Sequence, residues 1–99
     1  MPSSLISAIR YGRRVDPKQI DRVEVCHTTK DTALQLLGAP YKQGGAGDLE
    51  ILSYEYGGSD GTDQLVVAVD NKGVVVDKAH NAGYGYTAQN RCKQPQATN

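Results

Sequence analysis

The sequence predicts an α+β domain in two layers, with two short N-terminal helices packed on one face of a three-stranded antiparallel β-meander. Three observations carry this. Helix punctuation occurs twice, both times within the first 40 residues. Three strand-like runs follow, starting at Leu49, Gln64 and Val74. The connections between them are short and rich in glycine and aspartate, which suits hairpins and not the long crossovers that parallel strands require. Residues 1–14 are expected to form a flexible lead-in, residues 15–80 the folded domain, and residues 81–99 a flexible tail.

The first helix is marked by Asp16, a good N-cap, and Pro17, whose fixed φ suits the first helical position. Ile20 and Val23 lie three apart, with Arg22 and Glu24 on the other side, so the helix is placed from Pro17 to Val23 or Glu24. Val25-Cys26-His27 is a tight connection. The second helix, Thr29 to Leu37, is the best-marked stretch of the chain. Thr28 and Asp31 form a variant capping box, Ala33, Leu34 and Leu37 make one apolar face, Gly38 can close the helix in a left-handed conformation, and Pro40 forbids its continuation.

Tyr41 to Asp48, with three glycines among Gly44–Gly47, reads as a flexible loop. In Leu49–Tyr56, Leu52, Tyr54 and Tyr56 share one parity and are the expected buried face. Gly57 to Gly61 reads as a loop. Gln64–Asp70 places Leu65, Val67 and Val69 on one face. Asp70-Asn71-Lys72-Gly73 is a compact hairpin turn in which Gly73 can take positive φ. Val74–Lys78 is the third strand, and its three consecutive valines leave its buried face open.

Composition narrows the function. The 99 residues contain neither Trp nor Phe, so the core is built from Leu, Ile, Val and Tyr. Eleven basic and eleven acidic residues cancel, with a pI near 6.7. That balance argues against general nucleic-acid binding and against a polybasic membrane patch, both of which need net positive charge. No run approaches the roughly 20 apolar residues of a membrane helix. The N-terminus lacks the charged region of a secretory leader, leaving a cytosolic protein or a mature form with its leader removed. Ile6-Ser7-Ala8 resembles the run before a lipid-modified Cys in bacterial lipoproteins, with Ile9 in the place of that Cys, so a lipid anchor on the native chain stays open.

Candidate chemistry is sparse. Cys26 and Cys92 can form one disulfide or stand as two free thiols. Cys26 adjoins His27, but no CxxC or HxxxH spacing accompanies them, and no third group marks a metal or nucleophile site. Asp60, Asp63, Asp70 and Asp77 are scattered through turns and strand faces without calcium-loop spacing. The Gly44–Gly47 run follows a helix and lacks the Lys-Ser/Thr of a phosphate cradle. No catalytic, metal or cofactor site is therefore expected. What remains suits protein binding: the sheet edge, its open face, the loop residues Gly57, Gly58, Asp60 and Asp63, and Tyr84 and Tyr86 in the tail.

The run VDPKQIDRVEVCHTTKDTALQLLGAP resembles the start of SmpA/OmlA (BamE-like) domains, small bacterial outer-membrane lipoproteins. The resemblance continues through Leu36-Leu37-Gly38-Ala39-Pro40, Tyr54-Glu55-Tyr56 and Val69-Asp70-Asn71-Lys72-Gly73-Val74-Val75, covering about Val15 to Lys78. Cys26-His27 departs from the family's usual pair before the helix, and Tyr54 stands where Trp is frequent. The layout also resembles the repeats of β-lactamase inhibitory protein. Both resemblances imply a non-enzymatic, protein-binding role. The first implies an envelope scaffold in the periplasm or at the outer membrane, in a membrane-associated complex such as outer-membrane protein assembly. The competing expectation is a cytosolic or mobile-element regulator that binds nucleic acid or another regulator through Arg10, Arg13, Arg14, Lys18 and Arg22.

Overall fold

The computed structural model describes residues 11–83 and 85–92. Its elements run β1 (Tyr11–Gly12), α1 (Pro17–Arg22), α2 (Lys30–Leu37), β2 (Lys42–Ala46), β3 (Leu49–Gly58), β4 (Gly61–Val69) and β5 (Val75–His80). The fold is α+β, with two small helices and a five-stranded antiparallel sheet. The sheet is larger than the three expected strands. β3, β4 and β5 pair in sequence order, and β1 and β2 both pair along the remaining edge of β3. β2 lies in the glycine-rich stretch expected to be a loop. It reverses at Gly47-Asp48, with Gly47 at φ 64°, and pairs Ala46 with Leu49 through Lys42 with Ser53. The loop expected at Gly57–Gly61 is mostly strand, because β3 and β4 stay paired out to Gly58 and Gly61.

Both helices are capped by side chains. Asp16 accepts from the Lys18 N–H, and Thr29 accepts from the Thr32 N–H. The second cap is therefore one residue later than the Thr28–Asp31 box suggested. Thr28 acts elsewhere, since its Oγ1 accepts from the Glu24 N–H at 2.7 Å and folds the connection between the helices. Asp31 remains in the first turn of α2, where a carboxylate favours the helix dipole. Gly38 closes α2 at φ 86°. The C-terminal carbonyls of α2 are taken by distant side chains, Leu37 O by Arg13 and Gly38 O by the Tyr54 hydroxyl at 2.7 Å. Burial pushes the Tyr54 phenol above its ordinary pKa, so it remains a donor, although the Arg13 charge opposes the shift.

The core lies between helices and sheet. Val15, Ile20, Val23, Ala33 and Leu37 meet Leu52, Tyr54, Leu65, Val67, Val69 and Val75, with Leu34 packed at the margin. Lys78 points to the same side and donates through Nζ to Ile20 O at 2.9 Å and Val23 O at 2.8 Å, satisfying the end of α1. The chain between the helices covers the outer edge only at the start of β5: Cys26 N donates to Val75 O, Val75 N to Thr28 O, and Lys30 N to Gly73 O. Gly73 takes φ 83° in the β4–β5 turn, where Asp70 Oδ1 accepts from the Lys72 and Val74 N–H groups.

Candidate functional site

Strand alternation defines the face of the sheet away from the helices. The register pairs Ile51 with Ala68 and Ala68 with Asp77, then Ser53 with Val66 and Val66 with Ala79. Segment Gly85–Cys92, within the expected flexible tail, lies over part of this face as a strap. Asp77 is its anchor. Although only 4% exposed, the carboxylate accepts from the Tyr86 hydroxyl, from Gln89 N at 2.9 Å, from Arg91 Nε at 3.2 Å and from Lys78 N at 2.8 Å. Burial alone raises a carboxyl pKa, but these four donors outweigh it and hold Asp77 below its ordinary value. The Tyr86 phenol is pushed up by burial and by bonding to Asp77. Arg91 N also donates to Val76 O. The strap ends at a disulfide between Cys92 and Cys26, with Cα atoms 5.5 Å apart. Cys26 thus offers no thiol to a metal or a substrate in this state. Between strap and sheet runs a groove of about 340 Å³ lined by Ile51, Gln64, Val66, Tyr86, Thr87 and Ala88.

The second surface is the outer edge of β2. The two-residue turn makes Ala46 and Leu49 a hydrogen-bonded pair, so alternation directs the N–H and C=O groups of Gln43 and Gly45 away from β3. All five β2 residues are exposed. At the end of this edge, where β1 and β2 approach each other along β3, Tyr11 and Tyr41 form a tilted pair with ring centroids 5.5 Å apart. Each is 50% exposed, and they are the exposed large hydrophobic residues among those described. Their placement is over-determined: Gly12 at φ 66° passes so close to Glu55 O that a Cβ there would meet it at 1.7 Å, and the Tyr11 ring covers Gly57, where a Cβ would lie 2.4 Å from it.

The expected partner-binding residues do not form one patch. Gly57 is buried under Tyr11, and Gly58 ends β3. Asp60 accepts from the Tyr56 hydroxyl at 2.6 Å and pairs with Arg14, whose guanidinium also lies 4.4 Å over the Tyr56 ring. Asp63 faces His80 at 3.0 Å and Asn81 at 3.2 Å. Tyr86 belongs to the strap, and Tyr84 lies outside the described residues. Sequence reasoning missed Tyr11 and Tyr41, and it placed Asp77 among scattered acids although the carboxylate is buried. Two tyrosines flanking the folded helical segment were the available signal for the first pair. For Asp77 the signal was a carboxylate inside an apolar strand.

Among the described residues, no group of three His, Cys, Asp or Glu side chains is placed to hold a metal ion. No helix there is long and apolar enough to cross a membrane. The sequence matches no family model, and no curated protein or solved structure matches it.

Proposed function

We propose that this chain is a non-enzymatic protein–protein interaction scaffold of the bacterial cell envelope, acting in a membrane-associated complex such as outer-membrane protein assembly. The observation that carries the reading is the open β2 edge ending at the exposed Tyr11–Tyr41 pair. An open strand edge binds an extended partner segment through main-chain hydrogen bonds, and adjacent aromatics supply anchoring area. At the opposite edge, the start of β5 is already paired with the chain between the helices. Disulfides persist in oxidising compartments, and the Cys26–Cys92 bridge supports the periplasm over the cytoplasm. The order of two helices on one face of a β3–β4–β5 meander supports the BamE-like assignment, and a lipid anchor on the native chain belongs to the same proposal. The nucleic-acid alternative has weaker support, since Arg13 and Arg14 are engaged by Leu37 O and by Asp60 and Tyr56.

A photo-crosslinking residue at Gln43, compared with one at the exposed Asp21 of α1, tests the reading in intact cells. A discrete adduct with an envelope protein from position 43, lost in Tyr11→Ser/Tyr41→Ser, is expected. No adduct, or equal labelling from position 21, refutes it.

A further inference from the structure

We infer that the Cys26–Cys92 disulfide is a thiol-exchange site whose reduction by a dithiol releases the Gly85–Cys92 strap and uncovers the far face of the sheet. The scaffold reading is needed only for what the uncovered face then binds. Release itself rests on how the strap is held.

The strap contributes nothing to the main core: every residue of that cluster precedes Lys78. It is secured at three polar or covalent points, namely the bridge, the Arg91 N to Val76 O hydrogen bond, and the donors that converge on Asp77. Beneath it lie Ile51 and Val66, half-buried and apolar, in a groove that is already partly open. Its base is fixed independently. Asn81 N donates to Gln64 O, and Asn81 Oδ1 accepts from Gln64 N at 2.7 Å. Asn81 at φ 56° and Gly83 at φ 94° then turn the chain. A strap with a fixed base, turning residues beside it and removable anchors at its far end can swing without disturbing the sheet.

The bridge is placed for attack from solvent. Cys26 is exposed, whereas Cys92 is half-buried. Cys26 also holds φ 77°, a left-handed conformation that non-glycine residues rarely adopt. A thiolate of the reductant attacks Cys26 Sγ, forming a mixed disulfide and expelling Cys92 as a thiolate, which takes up a proton. The second thiol of the reductant then displaces Cys26 Sγ. Two electrons pass from the dithiol to the bridge, and the reductant leaves as its own disulfide. The strap then keeps its hydrogen bonds, which water can replace, and the sheet-facing Tyr86 and Ala88, but no covalent tether.

Hydrogen exchange on the full chain, oxidised or treated with dithiothreitol until its mass rises by two hydrogens, tests this. The Gln89 and Arg91 amides should exchange about tenfold faster or more on reduction, while paired amides of β3 and β4 keep their protection. Asp77→Asn should enlarge the effect in the reduced protein and leave the oxidised strap tethered. Two results overturn the inference: unchanged strap exchange after full reduction, and loss of protection throughout β3 and β4, which makes the bridge a staple of the whole fold. Crosslinking from Gln43 decides the scaffold reading separately, because β2 lies outside the strap.

Discussion

Replacing Asp77 by Asn removes the charge that gathers the strap while keeping nearly the same volume. The cost follows from the donors. Oδ1 accepts from Lys78 N and Arg91 Nε, and Oδ2 accepts from the Tyr86 hydroxyl and Gln89 N. With the amide oxygen in the Oδ1 position, the amide NH₂ faces Tyr86 and Gln89. Tyr86 can rotate its hydroxyl and accept. The Gln89 N–H cannot, and it loses its acceptor in a half-buried position, at about 1–3 kcal/mol. Arg91 is exposed and adds little. A loss of about 2 kcal/mol is expected for the oxidised protein, read as a shift of the urea midpoint at pH 7 with an unchanged slope. The pH dependence supplies an internal control. The folded-state pKa of Asp77 is depressed, so its stabilising contribution is complete above the unfolded value near 3.8 and disappears as pH falls through the folded value. The wild-type and Asp77→Asn proteins should therefore begin to converge below about pH 4 and meet once pH is below the folded value. A difference under about 0.5 kcal/mol at pH 7, or one that persists unchanged in acid, would refute the role given to this carboxylate.

Leu37 is 2% exposed and packs between α2 and the sheet, so Leu37→Ala should cost about 2–5 kcal/mol in the same denaturation assay. Thr29→Ala removes the acceptor for Thr32 N and should cost about 1 kcal/mol. Tyr86 carries the opposite pH signature to Asp77. Its raised pKa means that its contribution is complete below about pH 10 and is lost as pH rises through the folded value, which ultraviolet titration of the phenol follows.

The parts of this fold that were legible are those with a period or a punctuation mark. Pro17, Gly38 and Gly73 sit where local backbone chemistry demands them, and the parity of Leu52, Tyr54, Leu65, Val67 and Val69 named the helix-facing side. Adjacent hydroxyls at Thr28 and Thr29 made the cap ambiguous by one residue, and tertiary contacts chose between them. β2 was illegible because Lys42–Ala46 has neither alternation nor β-forming residues; its pairing is imposed by the free edge of β3 and the turn at Gly47. The strap was hidden for a related reason. A polar segment with one aromatic and one alanine against the sheet carries no periodic signal, and its attachment depends on a carboxylate in another strand. The disulfide was visible only as one option of an even cysteine count.

Asp77 and Lys78 are neighbours on β5, yet alternation sends them to opposite sides, where each secures a different layer. Lys78 Nζ holds Ile20 O and Val23 O at the end of α1, and Asp77 holds the strap. If β5 anchors both layers independently, damage at one residue should stay on its own side. Lys78→Met tests this, since methionine keeps most of the apolar stem and removes only the ammonium. Two carbonyls lose a charged donor, and the cost should be about 1–3 kcal/mol, because water reaches this half-buried site. Hydrogen exchange should accelerate in α1 and leave the Gln89 and Arg91 amides unchanged, whereas Asp77→Asn should do the reverse. If Lys78→Met loosens the strap as much as α1, the two sides of β5 are coupled. The strap could not then open without loosening the helical layer.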